Sequence, residues 1–467
     1  MQYDIAQVAP RTRVGGQVRA LWALGLPLVG SHVAQMLIGV TDTVMMGWHD
    51  ITGLAALSVA SPIFFIVFIL GSGFAWAVTP IVASALGERD ERQVRRVTRM
   101  GLWLSLCYGV CLVPVFFFFE PIMLAIGQEP EVARQAGIYM PYLGLGLIPA
   151  LLVQVLKSYL SALELTRAIL LAVIGAALMN ALVNYVLIFG NFGAPELGIV
   201  GAGVASLLSH TISLVLLTLY ALRKKPEHEL LRNFHRPDPQ ALVSVFRLGV
   251  PIGLTLLAET GLFAASSVMM GWIGTIPLAA HGVALQITSI SFMIPLGLSQ
   301  AATVRIGKAW GRGDAAELRA AAWAGLILAG ASLVLIIVTF LSVPGFLVGL
   351  FVDPTDPARP EILAVGTTLM MLAALFQLVD IGQVMALGML RGVQDTRVPM
   401  IMAIISYWGI GMPVAYVLGF GLGMEGAGIW LGLTVGLAFA CAGMQYRFWS
   451  RYGRGAPGQG VATAPRP

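Results

Sequence analysis

Three carboxylates stand inside stretches that are otherwise apolar: Asp42 in TDTVMMGW, Glu259 in LLAETGLF and Asp380 in FQLVDIGQVM. Most of the 23 acidic residues fall in polar segments or near the ends of apolar ones. A carboxylate near the centre of a bilayer-spanning helix costs on the order of 3 kcal/mol on insertion scales. No Lys or Arg falls mid-run to pair with these acids, and Lys157 sits near the end of its run, where its stem can carry the charge to an interface. Unpaired acids in such surroundings are expected to take up protons or bind cations. Asp42, nearer the end of its run, is the least deeply placed of the three.

Polar amides accompany them. Asn180 and Asn184 in LMNALVNY are four apart and share a helix face; they read equally as hydrogen-bonding glue between helices. Gln35, Gln286 and Gln383 are weaker candidates for lining a cavity. The 20 methionines and many aromatic residues suit an adaptable cavity for greasy ligands, although most must serve packing. His281 is expected to be a hydrogen-bonded helix residue. Enzyme chemistry finds no support. GLGMEG at 421–426 joins two apolar runs with no strand before it, so it is a turn. There is no Walker A sequence, HExxH or GxSxG. His228-Glu229 starts a zinc-like string, but Arg232 stands where the second His belongs. Cys107, Cys111 and Cys441 have neither metal nor disulfide spacing and read as small buried residues. No cofactor is expected.

The elements that must hold these groups follow from composition. Of 467 residues, 58% are hydrophobic and 11% charged, with mean hydropathy +0.85. Soluble domains carry about 25% charged residues, so the chain is expected to lie in a lipid bilayer. Each spanning helix needs roughly 20 apolar residues. Twelve runs qualify, at about 20–46, 54–86, 98–119, 133–160, 168–190, 198–222, 242–272, 278–306, 318–350, 361–390, 398–420 and 425–449. They do not alternate with period two, which excludes a membrane barrel. Lys and Arg cluster before run 1, between runs 2 and 3, in the 223–241 connector, between runs 8 and 9, after run 10 and in the tail. That bias places both termini and the connector in the cytoplasm. The net charge of +5 then calls for no nucleic-acid partner. The tail 451–467 is Gly/Pro/Ala-rich and expected to be disordered.

The chain also repeats itself. VMMGW occurs at 44–48 and at 268–272, and a shift of 224 residues registers the two halves without a gap for a long distance. LGLP at 24–27 meets LGVP at 248–251, LAALSVA at 54–60 meets LAAHGVA at 278–284, and GERD at 87–90 meets GRGD at 311–314. With slightly different shifts LSALELTR at 160–167 meets LRGVQDTR at 390–397, and GAGVA at 201–205 meets GAGIW at 426–430. The expected fold is all-α, with 12 transmembrane helices in two six-helix lobes, 1–222 and 242–450. An even helix number relates them by a pseudo-twofold along the membrane normal. Glu259 aligns with Gln35, and Asp42 with Ser266. The two lobes share a scaffold but place their acids differently.

These motifs together resemble the multidrug and toxic compound extrusion (MATE) family, in its NorM-like branch, from about Leu24 to Trp449. The resemblance implies a secondary antiporter of the bacterial inner membrane that exports lipophilic organic cations, by alternating access, in exchange for H⁺ or Na⁺. Asp42 matches the family's N-lobe acid for proton and substrate coupling, with Asn180 and Asn184 beside it. Glu259 and Asp380 match the C-lobe acids for cation binding, including Na⁺. Some sodium-coupled relatives carry Tyr one turn before the helix-10 acid; this chain has Phe376, which removes one oxygen ligand. The chain is expected to act as a monomer. A flippase for a lipid-linked saccharide would need basic residues in the cavity, whereas the charges inside the runs read as acidic. An intramembrane enzyme would need a nucleophile–base pair or a metal site.

Overall fold

Where lipid surrounds a chain, its backbone groups must be paired within each segment, so these apolar runs have to coil. The computed structural model describes residues 14–232 and 234–453. Among them, twelve helices are long and apolar enough to cross a membrane: α1 (Val14–His49), α2 (Ile51–Glu88), α3 (Glu91–Phe117), α4 (Pro130–Ala162), α5 (Thr166–Phe189), α6 (Ile199–Lys224), α7 (Pro239–Ile273), α8 (Thr275–Gly311), α9 (Ala315–Ser342), α10 (Arg359–Gly392), α11 (Arg397–Gly421) and α12 (Glu425–Gly453). No described residue lies in a strand. The chain is an all-α, multi-pass membrane protein. Of the tail expected to be disordered, 451–453 continue α12 and the rest lies outside the described residues.

One expected span is shorter than read. The run 318–350 breaks after Ser342, and a short helix, Pro344–Gly349, follows. Pro344 has no N–H to give the preceding turn. The first repeat breaks at the matching place, α3 ending at Phe117 before a short helix Phe119–Ala125. Cys107 and Cys111, expected to be buried, instead face outward from α3.

The duplication is visible in backbone detail. The Asp that closes GERD and GRGD caps a helix both times: Asp90 accepts from the Gln93 N–H at 2.9 Å to open α3, and Asp314 from the Glu317 N–H at 2.9 Å to open α9. The residue before each cap is left-handed, Arg89 (φ 62°) and Gly313 (φ 68°). Glu164 (φ 63°) and Gln394 (φ 61°) repeat this after α4 and α10. Side chains rarely adopt that region, so a bond across each corner must hold it. These are Asp90 N to Ala85 O at 2.8 Å, Asp314 N to Ala309 O at 3.0 Å, and Leu165 N to Leu160 O and Asp395 N to Leu390 O, both at 2.9 Å.

Packing repeats as well. The fourth helix of each repeat is the hub, α4 against α2, α3 and α6, and α10 against α8, α9 and α12. Hydrophobic attraction between helices is weak in lipid, so close backbone approach matters. On α12 the glycines Gly428, Gly432 and Gly436 recur every fourth residue against α11. A Cβ on Gly432 would come within 2.2 Å of the Ala415 Cα, and one on Gly436 within 2.7 Å of the Gly411 Cα. Facing them, α11 widens to π-helical turns over Ile405–Gly411 and Val417–Gly421, on either side of Pro413, which has no N–H to donate.

Contacts divide the molecule into two compact units. One is Gly30–Gly253; the other joins the described residues before Gly30 to those after Gly253. The divisions fall inside α1 and α7, the first helix of each repeat, whereas the sequence repeat was bounded at 1–222 and 242–450. In the first unit the connector is tied to α3. Trp103 donates to the Phe234 carbonyl at 2.7 Å and stacks on its ring, Arg95 pairs with Glu229 at 2.8 Å, and the Arg96 guanidinium grips Asp238 in a fork. That fork holds the Asp238 carboxyl below the usual carboxylate range.

Two predictions follow from this packing. Gly432→Val is expected to lower thermal stability in detergent by about 1–3 kcal/mol, while Gly39→Ala, with open space around it, serves as the control. Asp238→Asn is expected to speed trypsin cleavage at Arg236 by up to about fivefold. A lowered carboxyl contributes its stability above its ordinary value and loses it on acidification. The wild-type connector should therefore loosen as pH falls below about 4, read as faster hydrogen exchange over 226–238.

Candidate functional site

The first repeat builds a hydrogen-bonded acid. Asp42 lies on α1, in the segment that follows the proline turn at Pro27, and is 7% exposed. Asn184 of α5 donates its Nδ2 to the Asp42 Oδ1 at 2.5 Å, and Ser206 of α6 donates its hydroxyl to Oδ2 at 3.1 Å. The Asn184 amide also reaches the Asn180 Oδ1 at 3.1 Å, as their spacing of four along one helix face allows. Both asparagines are fully buried. The Asn180 Nδ2 and the Asn184 Oδ1 have no hydrogen-bond partner. A carboxylate held by neutral donors, beside one spare donor and one spare acceptor, can exchange its partners for a proton or a cationic group without breaking an ion pair. The structure thus brings Asp42, Asn180 and Asn184 into one cluster and adds Ser206. That serine directly follows the repeated GAGVA motif, and its place on the small-residue face of α6 was the available signal.

The second repeat builds a different centre. Asp380 of α10 is 2% exposed, and its Oδ1 has no hydrogen-bond partner. Glu259 of α7 is half-buried and lies within electrostatic reach of Asp380. The Tyr407 hydroxyl lies within electrostatic reach of both acids and accepts from the Gln383 Nε2 at 2.7 Å. Tyr407 sits in the widened turn of α11, an irregularity that composition does not reveal. Phe376, one turn before Asp380, instead packs edge-on against Trp430 and Phe263 at 5.6 and 6.0 Å. Glu259, Asp380 and Tyr407 are the oxygens that could hold a small cation. Among the described residues, no group of three or more His, Cys, Asp or Glu side chains could hold a metal ion.

Not every candidate joins these clusters. Gln35 accepts a hydrogen bond from the Lys157 Nζ at 2.8 Å, whereas Gln286 is half-buried and belongs to neither acid centre. His281 is a structural link, taking the Trp430 indole N–H on Nδ1 at 3.1 Å, with the Ser266 hydroxyl 3.3 Å from Nε2. Ser266, the counterpart of Asp42, is thus bound to imidazole.

One expectation is corrected. The charges inside the spans are not all acidic. Lys157 is 5% exposed and bonded to Gln35, so its side chain does not reach an interface. Arg391, 6% exposed, lies within electrostatic reach of Glu259. Both were read as helix-end residues because spacing along one helix does not say which neighbours close over it.

Two six-span repeats of this kind recur among solved structures. A crystal structure of MATE in the bent conformation superposes with a TM-score of 0.85 at 19% identity over 97% of this chain and 98% of that one. The eukaryotic MATE transporter AtDTX14 does so at 0.81 and 20%, over 93% and 96%. Residues 27–186 and 251–417 match the MatE family model, and the chain belongs to that family. It is 47% identical over 434 residues to the probable multidrug resistance protein NorM of Rhizobium meliloti, covering 92% of this chain and 93% of the relative. Its identity to the protein of the same name from Agrobacterium fabrum is 45% over 433 residues, with the same coverage.

The Asp42–Asn184 bond is testable in stability. Removing Asn184 alone leaves a buried acid short of a donor. Asn184→Leu is expected to cost about 1–3 kcal/mol, and in an Asp42→Asn background clearly less. A double-mutant cycle by thermal unfolding in detergent should then give a coupling of about 1 kcal/mol or more.

Proposed function

We propose that this chain is a secondary active multidrug exporter, moving lipophilic organic cations out of the cell in exchange for H⁺ or Na⁺ by alternating access. The observation that carries the reading is Asp380, buried with one oxygen unpartnered and sharing its surroundings with Glu259. Arg391, within reach of Glu259, offsets one negative charge of the pair; a second, on Asp380, calls for something positive from outside. A proton or a sodium ion supplies it, and the gradient of that ion then drives the cycle. Sodium would find Asp380, Glu259 and the Tyr407 hydroxyl as oxygen ligands.

Asp42 takes the other half of the exchange. Held by amide and hydroxyl donors, it can accept the positive group of a drug; a proton arriving there removes that attraction. A site whose charge has been cancelled crosses the closed, low-dielectric state more cheaply than a charged one, so ion binding favours the return. The names of the relatives, probable multidrug resistance proteins, support the multidrug part of this reading. This reading puts the chain in the bacterial inner membrane with both termini cytoplasmic, working as a monomer.

Efflux of ethidium from proteoliposomes, under a pure pH gradient and separately under a pure sodium gradient, tests the proposal and names the ion. Wild type should respond to one of them, and Asp380→Asn should lose at least about tenfold of that rate, as the loss of one charge-binding group of about 1.5–3 kcal/mol implies. Gradient-independent efflux, or full activity in Asp380→Asn, would overturn it.

A further inference from the structure

The transport cycle above leaves one strongly charged region unused, the basic end of α3. Residues 88–99 and 223–238 together hold ten Lys or Arg against six Asp or Glu, a surplus of four in a chain whose net charge is +5. Sidedness alone would be served by charges scattered over the connectors. Here they gather on one helix. Arg92, Arg95, Arg96 and Arg99 recur at spacings of three and four, so they share a side of α3. The connector adds Arg232, whose backbone carbonyl accepts from the Arg99 Nη1 at 2.6 Å. Within this group Arg95 and Arg232 share one carboxylate, Glu229, at 2.8 and 2.5 Å, and Arg96 takes Asp238. Arg99 lies within electrostatic reach of Arg95 and Arg96. The Arg95 Nε is buried with no hydrogen-bond partner, and the Arg92 and Arg232 side chains are exposed. Crowded guanidiniums with donors to spare favour a shared anion, and phosphate oxygens fit the guanidinium fork.

Depth indicates which anion. From Met100 to Phe117, α3 carries no charge over 18 residues, about 27 Å of rise, which is close to the hydrocarbon thickness of a bilayer. Arg99 therefore stands at headgroup level. Trp103, one turn further in, stands at the edge of the hydrocarbon, where indoles collect. There it stacks on the connector's Phe234 at 5.6 Å, both rings half-buried. The second repeat differs. In the 224-residue register the four arginines meet Ala316, Arg319, Ala320 and Trp323, and Trp323 packs on Trp449 at 4.9 Å. The scaffold thus does not require the cluster. We propose that Arg92, Arg95, Arg99 and Arg232 bind the phosphate headgroup of an anionic phospholipid in the leaflet on the connector's side, its acyl chains lying against Trp103 and Phe234. The site is separate from both acid centres, and the inference does not depend on the transport reading.

The test titrates the purified full chain in detergent with dioleoyl phosphatidylglycerol or dioleoyl phosphatidylcholine, read by mass spectrometry of the intact complex. Wild type should hold phosphatidylglycerol at least about tenfold more tightly, as two or more basic residues at a membrane surface imply. In Arg92→Gln/Arg232→Gln the two affinities should converge, and each single variant should fall between. Arg397→Gln/Arg451→Gln removes the same charge from exposed positions of the second repeat and should keep the preference. Equal affinities in wild type, a preference that survives Arg92→Gln/Arg232→Gln, or one that Arg397→Gln/Arg451→Gln abolishes as well would overturn the proposal. Should the first pair not fold, the single variants decide, and an undiminished preference in both would overturn it.

Discussion

A charge enclosed by apolar helices is costly unless another group answers it. This constraint orders the whole interior. Glu317 is answered by Arg305 and Arg312 at 3.2 and 2.6 Å, a closed structural network at the start of α9. Asp42 is answered by two neutral donors, Asn184 and Ser206. Asp380 has a buried Oδ1 with no hydrogen-bond partner. The three cases form a series from ion-paired to unpartnered carboxylate, and the candidate site lies at the unpartnered end.

Duplication explains how one scaffold carries two chemistries. The capping aspartates, the left-handed corners and the hub helices recur at matched positions, so the backbone was kept while the interior diverged. In the first repeat α1 carries an amide at position 35 and an acid at 42; in the second α7 carries an acid at 259 and a serine at 266. Each polar slot then acquired neighbours that suit it. Asparagines surround the acid at 42, imidazole meets the serine at 266, a lysine faces the amide at 35 and an arginine lies near the acid at 259.

Much of this was legible in the sequence, because lipid leaves few options. Twelve apolar runs of sufficient length can hardly be anything but helices, and the gapless 224-residue register exposed the repeat. Asp42, Asn180 and Asn184 were recoverable because two asparagines four apart in an apolar run have to face something. The rest depended on three-dimensional closure. Lys157 and Arg391 lie near helix ends in sequence, but neighbouring helices cover them. Tyr407 lies in a π-helical widening that no periodicity signals. The break before Pro344 was readable from the proline and was missed because apolar residues continue across it.

The division of contacts inside α1 and α7 has a consequence for biogenesis. The compact unit Gly30–Gly253 includes the opening of α7, and the other unit includes the opening of α1. During synthesis the first unit therefore lacks its last piece until the ribosome has passed the connector. Residues made at the very start must wait for helices made at the end. A chain released after its sixth helix would leave both units unfinished.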